Sequence, residues 1–294
     1  MENISKESIK SLDINIHHIG GIGDCGPVDN FQYLQGYKWI LYDADEGSLK
    51  ETTNKPNSVL IRKCIGGTDG KIKFNISTSP SASSVYLLDE KAKKYSFKGD
   101  RKIWGKHAKM INQVELETYK LDTLIANGEI PKIDILSVDA QGFEYEIMQG
   151  AKDNFRDILA IVTEVEFTPL YKGQKLFQDT HSLLSNEGFI LVSLTNTQDM
   201  YLTEQGAGDG FLVVAEPFYL RDPDTINDIE QLFKLAKIAI AIRRFDFGLK
   251  IIDRLSNMGL NLDGELLEFI ANTKDGKNRI DRLMIKKNGN SDTN

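Results

Sequence analysis

The chain has 294 residues, 40% of them hydrophobic and 9% aromatic, enough for a sizeable core in one large domain or one domain with an appendage. Charged residues make up 27% and the net charge is -7, so repulsion opposes general binding to a nucleic-acid backbone or an anionic membrane.

The opening Met1-Glu2-Asn3-Ile4-Ser5-Lys6 has no apolar run of the secretory kind. No stretch reaches the apolar length of a membrane span, since Leu232 to Ile242 is interrupted by Lys234 and Lys237. Cys25 and Cys64 lack metal-type spacing and read as reduced thiols, which places the protein in the cytoplasm.

Ile14 to Ile19 is short, β-branched and followed by glycines, and predicts a strand. Pro27 suits the first turn of a helix over Pro27 to Gln35. Trp39 to Tyr42 predicts a second strand ending in Asp43-Ala44-Asp45, followed by a short helix near Ser48 to Thr53. Val59 to Cys64 reads as a third strand, and Lys71 to Ile76 alternates as a further one. Residues 77 to 112 are the least regular, and about 85–112 reads as a basic variable loop carrying Lys91, Lys93, Lys94, Lys98, Arg101, Lys102, Lys106, His107 and Lys109. Such a run is a solvated face or a landing place for an acidic or phosphorylated acceptor.

Leu121 to Ala126 predicts a helix, Ile133 to Asp139 a buried strand with an aspartate at its carboxyl end, and Gly142 to Gly150 another helix. Ile158 to Glu166 is a strand and Phe177 to Glu187 a helix stopped by Gly188. Phe189 to Leu194 and Phe211 to Ala215 follow, and no helix is legible between them, so they should pair antiparallel. The rest alternates strand and helix, which predicts an open, mostly parallel α/β sheet over residues 1–221. Beyond it, Ile226 to Ile242, Phe245 to Leu255 and Leu262 to Ala271 predict a helical appendage over 222–285, suited to capping or to homo-oligomer formation. Residues 286–294 read as a disordered tail.

Gly21-Ile22-Gly23-Asp24-Cys25-Gly26 has the spacing G-x-G-x-x-G between a strand and a helix, with Gly20 before it. Glycines there let the backbone turn tightly and approach a ligand. Asp43 and Asp45 close the second strand about 20 residues on, where a carboxylate accepts hydrogen bonds from ribose hydroxyls. Gly20, Gly21, Gly23, Asp24, Asp43 and Asp45 are therefore the candidate cofactor contacts. The pattern serves a dinucleotide or S-adenosylmethionine, and the final antiparallel pair favours the second. A nicotinamide-dependent oxidoreductase and a non-catalytic glycan-binding protein on the same fold remain the alternatives.

Leu121-Asp122-Thr123-Leu124 and Ile133 to Glu144 resemble the FkbM family of methyltransferases, whose strand has the form D-x-x-K-x-D-x-x-G-x-E. The likeness continues through Ile147 to Ala151 and Thr163 to Gln174, with Ser83-Ser84 also similar, and covers roughly residues 12 to 216. Ser137 stands where the family lysine usually does, and His18 where the first strand often carries an acid. The resemblance implies a class I methyltransferase (Rossmann-like) fold, S-adenosylmethionine as cofactor, and O-methylation of a sugar in a surface glycan or glycosylated metabolite.

An alcohol is a poor nucleophile, so a base or a divalent metal should assist its deprotonation. Asp139 and Glu164 end strands at the carboxyl edge, where open α/β sheets place ligands, and are the candidate catalytic pair or metal ligands. Glu144 and Glu166 are second choices for acceptor contact, with a solvated first-turn helix carboxylate and an exposed strand end as their alternatives. Tyr171 is read as a wall of the acceptor site or as packing, and His107 as a base, an acceptor contact or neither. His17 and His18 lie in a buried strand, where core hydrogen bonding is expected.

Overall fold

A computed structural model describes residues 13–20, 36–44, 57–98 and 102–259. The glycine run Gly21 to Gly26, Asp45, the helices expected over 27–35, 48–53 and 262–271, and the tail lie outside these residues.

The described strands and helices, in chain order, are β1 (Ile14–Ile19), β2 (Tyr37–Tyr42), β3 (Ser58–Ile61), β4 (Cys64–Ile65), β5 (Gly70–Ser77), β6 (Ser96–Phe97), α1 (Trp104–His107), β7 (Met110–Tyr119), α2 (Leu121–Ala126), β8 (Ile135–Val138), α3 (Glu144–Gln149), β9 (Ala160–Thr163), β10 (Val165–Glu166), α4 (Phe177–Asn186), β11 (Phe189–Tyr201), β12 (Phe211–Arg221), α5 (Ile229–Ala241) and α6 (Phe245–Asn257).

The main sheet has the order β3-β2-β1-β8-β9-β12-β11-β6. The first five strands are parallel, while β12 and β11 run antiparallel to their neighbours. This is the expected mostly parallel, Rossmann-like α/β sheet, closed by the expected antiparallel hairpin. All residues of β8 and β9 are buried, as strands covered on both faces must be. One contiguous core includes Leu136, Val138 and Ile161 of the sheet with Leu124, Ile147 and Leu184 of three helices.

The two positions that depart from the family meet. His18 and Ser137 are partners in register, and His18 Nδ1 lies 2.9 Å from Ser137 Oγ. His17 Nδ1 lies 2.7 Å from Tyr42 Oη, and burial pulls its imidazole down to about 3, so it stays neutral. Both histidines thus bond within the core.

Three elements differ from the sequence reading. The strand expected over 59–64 is split at Arg62 and Lys63: β3 joins the main sheet, and β4 pairs with β7 in a second sheet of order β4-β7-β5. Strand β7 was missed because its first four residues, Met110 to Gln113, are all exposed along an open ribbon with β5 and show no alternation, which leaves only the short Val114-Glu115-Leu116-Glu117 pattern to mark it. It begins inside the region read as a loop, where Pro80–Ala82, Ala92–Lys94, β6 and α1 also supply short ordered elements. The hairpin strand β11 runs to Tyr201 rather than Leu194, because its outer half is polar and half-exposed.

Residues Asp13–Asp222 form one compact unit, and the chain from Pro223 belongs to another. In the latter, Asp228 caps α5 by accepting from Gln231 N–H at 2.8 Å. Helix α6 lies against α5 through Gly248, where a Cβ would come 2.8 Å from Ile240 Cγ1. Among the described residues, no helix is long and apolar enough to cross a membrane.

Candidate active site

The register of four adjacent strands builds a row of residues at their carboxyl ends. Ile19 is paired with Tyr42 and with Val138, and Val138 with Thr163. The next residue along each strand is Asp43, Gly20, Asp139 and Glu164, respectively from β2, β1, β8 and β9. Asp139 N–H donates to the Ile19 carbonyl at 2.9 Å and Glu164 N–H to the Val138 carbonyl at 3.0 Å, which keeps the row in line beyond the strands. The order in which successive strands are added reverses between the parallel neighbours β1 and β8, with β2 and β3 on one side and β9 on the other, and such a switch point is the crevice in which these sheets place ligands.

Gly20 is required by contact as well as by conformation. Its φ is +76°, and a Cβ there would lie 1.7 Å from the Asp139 carbonyl oxygen. Gly20 at the end of β1 and Asp43 at the end of β2 thus stand at one level on neighbouring strands, as expected of a cofactor-binding edge. The remaining candidates, Gly21, Gly23, Asp24 and Asp45, lie outside the described residues.

Asp139 and Glu164 are held together by Gln141, a residue not singled out in the sequence reading. Its amide donates to Asp139 Oδ1 at 3.0 Å and Glu164 Oε1 at 3.4 Å. Gln141 has φ +52°, and its carbonyl accepts from Ser84 Oγ at 2.7 Å while its Oε1 accepts from Tyr171 Oη at 3.2 Å. The signal for Gln141 was its place between Asp139 and Gly142, but only the left-handed backbone turns its amide onto both carboxylates. Gly142 follows at φ +92°, where a Cβ would press within 2.8 Å of the Tyr171 ring.

Glu144 and Glu166 do not match either exposed alternative. Glu144 is buried and its Oε1 accepts from Ala140 N–H at 2.7 Å and Gly142 N–H at 3.1 Å, closing the turn that leads into α3. Glu166 is 1% exposed, because β10 continues inward against β12 rather than ending in solvent. Among the described residues, its Oε1 has no hydrogen-bond partner.

These carboxyls act on one another. Burial pushes Glu144 well above the ordinary carboxylate range, and the charges of Glu166 and Asp139 add to it. Half-buried Glu164 is raised in the same way, by desolvation first and then by Asp139, Glu166, Glu144 and Glu216. Desolvation carries Glu166 up to about 7, opposed by the Gln174 amide and reinforced by Asp139. One ligand oxygen each from Asp139, Glu144 and Glu164 lies within 4.8 Å of the others.

Tyr171 is 2% exposed, packed edge-on against Trp104 at 6.0 Å, and its hydroxyl donates to Gln141; it positions that amide. Its loop is tied by Gln174, whose Oε1 accepts from Leu170 and Tyr171 N–H at 2.7 and 2.6 Å. His107 ends α1 with its ring against Phe97 and Trp104, and no contact among the described residues brings it to the carboxylates. Within the basic stretch, Lys93 pairs with Glu90, Lys98 with Asp199 and Lys106 with Glu204.

A family model described as the methyltransferase FkbM domain matches residues 21–191. Hexuronic acid methyltransferase AglP of Haloferax volcanii is 25% identical over 83 residues, 26% of this chain and 35% of that protein. The chain thus spans about a third of the length of this curated relative. A TehB-like SAM-dependent methyltransferase from Corynebacterium glutamicum is similar at 10% identity and TM-score 0.29, over 72% of this chain and 82% of that one. Precorrin-6y C5,15-methyltransferase from Geobacter metallireducens is similar at 9% identity and TM-score 0.32, over 75% and 92%.

Proposed function

The chain belongs to the FkbM methyltransferase domain family and is an S-adenosylmethionine-dependent methyltransferase, and from that premise we propose that its acceptor is a hydroxyl of a sugar, in a surface glycan or glycosylated metabolite. The observation that carries this reading is the row Asp43, Gly20, Asp139 and Glu164 across four strand ends. The Gly20 and Asp43 end suits the cofactor, which supplies an electrophilic methyl group on a sulfonium. The Asp139 and Glu164 end suits an acceptor that must lose a proton as it attacks.

On this reading residues 1–221 carry the chemistry and 222–285 are accessory. Asp139 faces the reacting oxygen, and Glu164 shares the proton it takes up. Gln141 fixes the spacing of the two carboxylates through its amide. Positioning supplies much of the rate, because attacking oxygen, methyl carbon and sulfur must align. A saccharide acceptor is supported by the Haloferax volcanii relative, whose name specifies a hexuronic acid.

The test is titration of the purified protein with S-adenosylhomocysteine, followed by assay of labelled methyl transfer to a panel of uronic acid and neutral sugar glycosides. Binding with transfer to a saccharide hydroxyl is expected. Absence of binding at high micromolar concentration overturns the cofactor site, and binding without transfer to any saccharide overturns the acceptor class.

A further inference from the structure

We propose that Asp139, Glu144 and Glu164 bind a divalent cation of the hard, oxygen-preferring class, Mg²⁺ or Mn²⁺, at the carboxyl edge of β8 and β9. The spacing fits such an ion. Two oxygens on opposite sides of Mg²⁺ at roughly 2.1 Å stand about 4.2 Å apart and adjacent ones about 3 Å, so the group needs to contract by at most about 0.6 Å to close on the ion. The three ligand oxygens all lie within 4.8 Å of one another. The donors are carboxylate oxygens with no histidine or cysteine in the group, which selects hard cations over zinc or copper.

A second observation points the same way. Glu166 is 1% exposed and its Oε1 lacks a hydrogen-bond partner among the described residues. Strands β9 and β10 keep one register against β12, from Ala160 opposite Leu220 to Glu166 opposite Val214, so Glu164 and Glu166, two residues apart, lie on the same face of the extended chain. The Gln141 amide is a neutral donor and reaches only Asp139 and Glu164. Like charges enclosed together destabilise the fold unless a proton or a cation compensates them. Asp139 and Glu164 are only half-buried, so an ion has a route in from solvent and a face left for water or acceptor oxygen.

The site deepens the methyl-transfer reading and rests on it for its role: a cation beside Asp139 would lower the pKa of an acceptor hydroxyl bound to it. Its existence is tested without turnover. The full chain, stripped with chelator, is titrated with Mn²⁺ and free Mn²⁺ is followed by electron paramagnetic resonance, with Mg²⁺ as competitor. One saturable site is expected, weakened at least about tenfold in Glu164→Gln and Asp139→Asn, since even residues bonded to a ligand contribute that much. Glu115→Gln, an exposed partner of Lys71, should bind as the parent does. The parent's melting temperature should also rise with Mn²⁺ and not with NaCl of equal ionic strength, a readout that needs no variant to fold.

No saturable site in the parent, or equal affinity in the parent and a folded Glu164→Gln, overturns the proposal. If Mn²⁺ fails to bind while S-adenosylhomocysteine does, the cation is wrong and the methyl-transfer reading stands. If Mn²⁺ binds as described and no saccharide is methylated, the site stands and the acceptor class fails.

Discussion

Two groups of buried charge sit at opposite ends of the same strands and are treated in opposite ways. At the amino end of β9, Arg221 is buried and donates to the carbonyls of Ile158, Glu187 and Phe155, with its guanidinium 4.0 Å from the centre of the Phe189 ring. Just before Phe155 in the chain, the Asp153 N–H and the Asn154 amide donate to buried Asp122 at 3.1 and 2.7 Å. At the carboxyl end, Asp139, Glu144, Glu164 and Glu166 repel one another, and one buried oxygen lacks a partner. Burial of charge alone does not mark function: the matched end builds the fold, and the mismatched end is the one for which we propose ligands.

The comparison breaks most sharply on turnover. Asp139→Ala should leave S-adenosylhomocysteine affinity near the parent value and lower methyl transfer at least about 100-fold, the range of a lost base. Calorimetry and a labelled-methyl assay on one preparation check both halves. Unchanged turnover would move the chemistry elsewhere.

Arg221→Met should do the reverse. Three buried carbonyls lose their donor, so urea unfolding should show a loss on the order of 3 kcal/mol. Cofactor-product affinity of the folded fraction should be retained.

A smaller effect sharpens the mismatch itself. Glu166 is raised from 4.5 to about 7 in the folded chain, so the folded state holds the proton more tightly than the unfolded one. Its contribution to stability is complete below about pH 4.5 and is lost as pH rises through about 7. With chelator present, stability should fall across that window, and Glu166→Gln should flatten the fall by on the order of 1 to 3 kcal/mol. An equal slope in parent and variant would remove Glu166 from the group. Least of all should Glu115→Gln matter: its exposed pair with Lys71, 2.7 Å long, predicts no measurable change in melting temperature.

The parallel strands were legible in the sequence because burial on both faces demands continuous apolar runs, as in Ile135 to Val138 and Ala160 to Thr163. Asp139 and Glu164 could be singled out for the same reason: each is the first acidic residue after such a run. Strand β7 and the outer half of β11 were not legible, since Met110 to Gln113 and Asn196 to Gln198 are exposed and carry no apolar alternation. Glu166 was misread because an alternating strand end looks exposed until β12 is laid against it.

The sequence alone determined the buried strands β1, β2, β8 and β9, the antiparallel finish and which residue types stand at the strand ends, because these depend on local periodicity. Only the tertiary structure decided that Asp43, Gly20, Asp139 and Glu164 share one level. That alignment comes from the register between strands far apart in the chain. The tertiary structure also paired His18 with Ser137 and enclosed Glu144 and Glu166 with Asp139 and Glu164. Register and enclosure are set by packing between distant segments, and no window of the chain contains them.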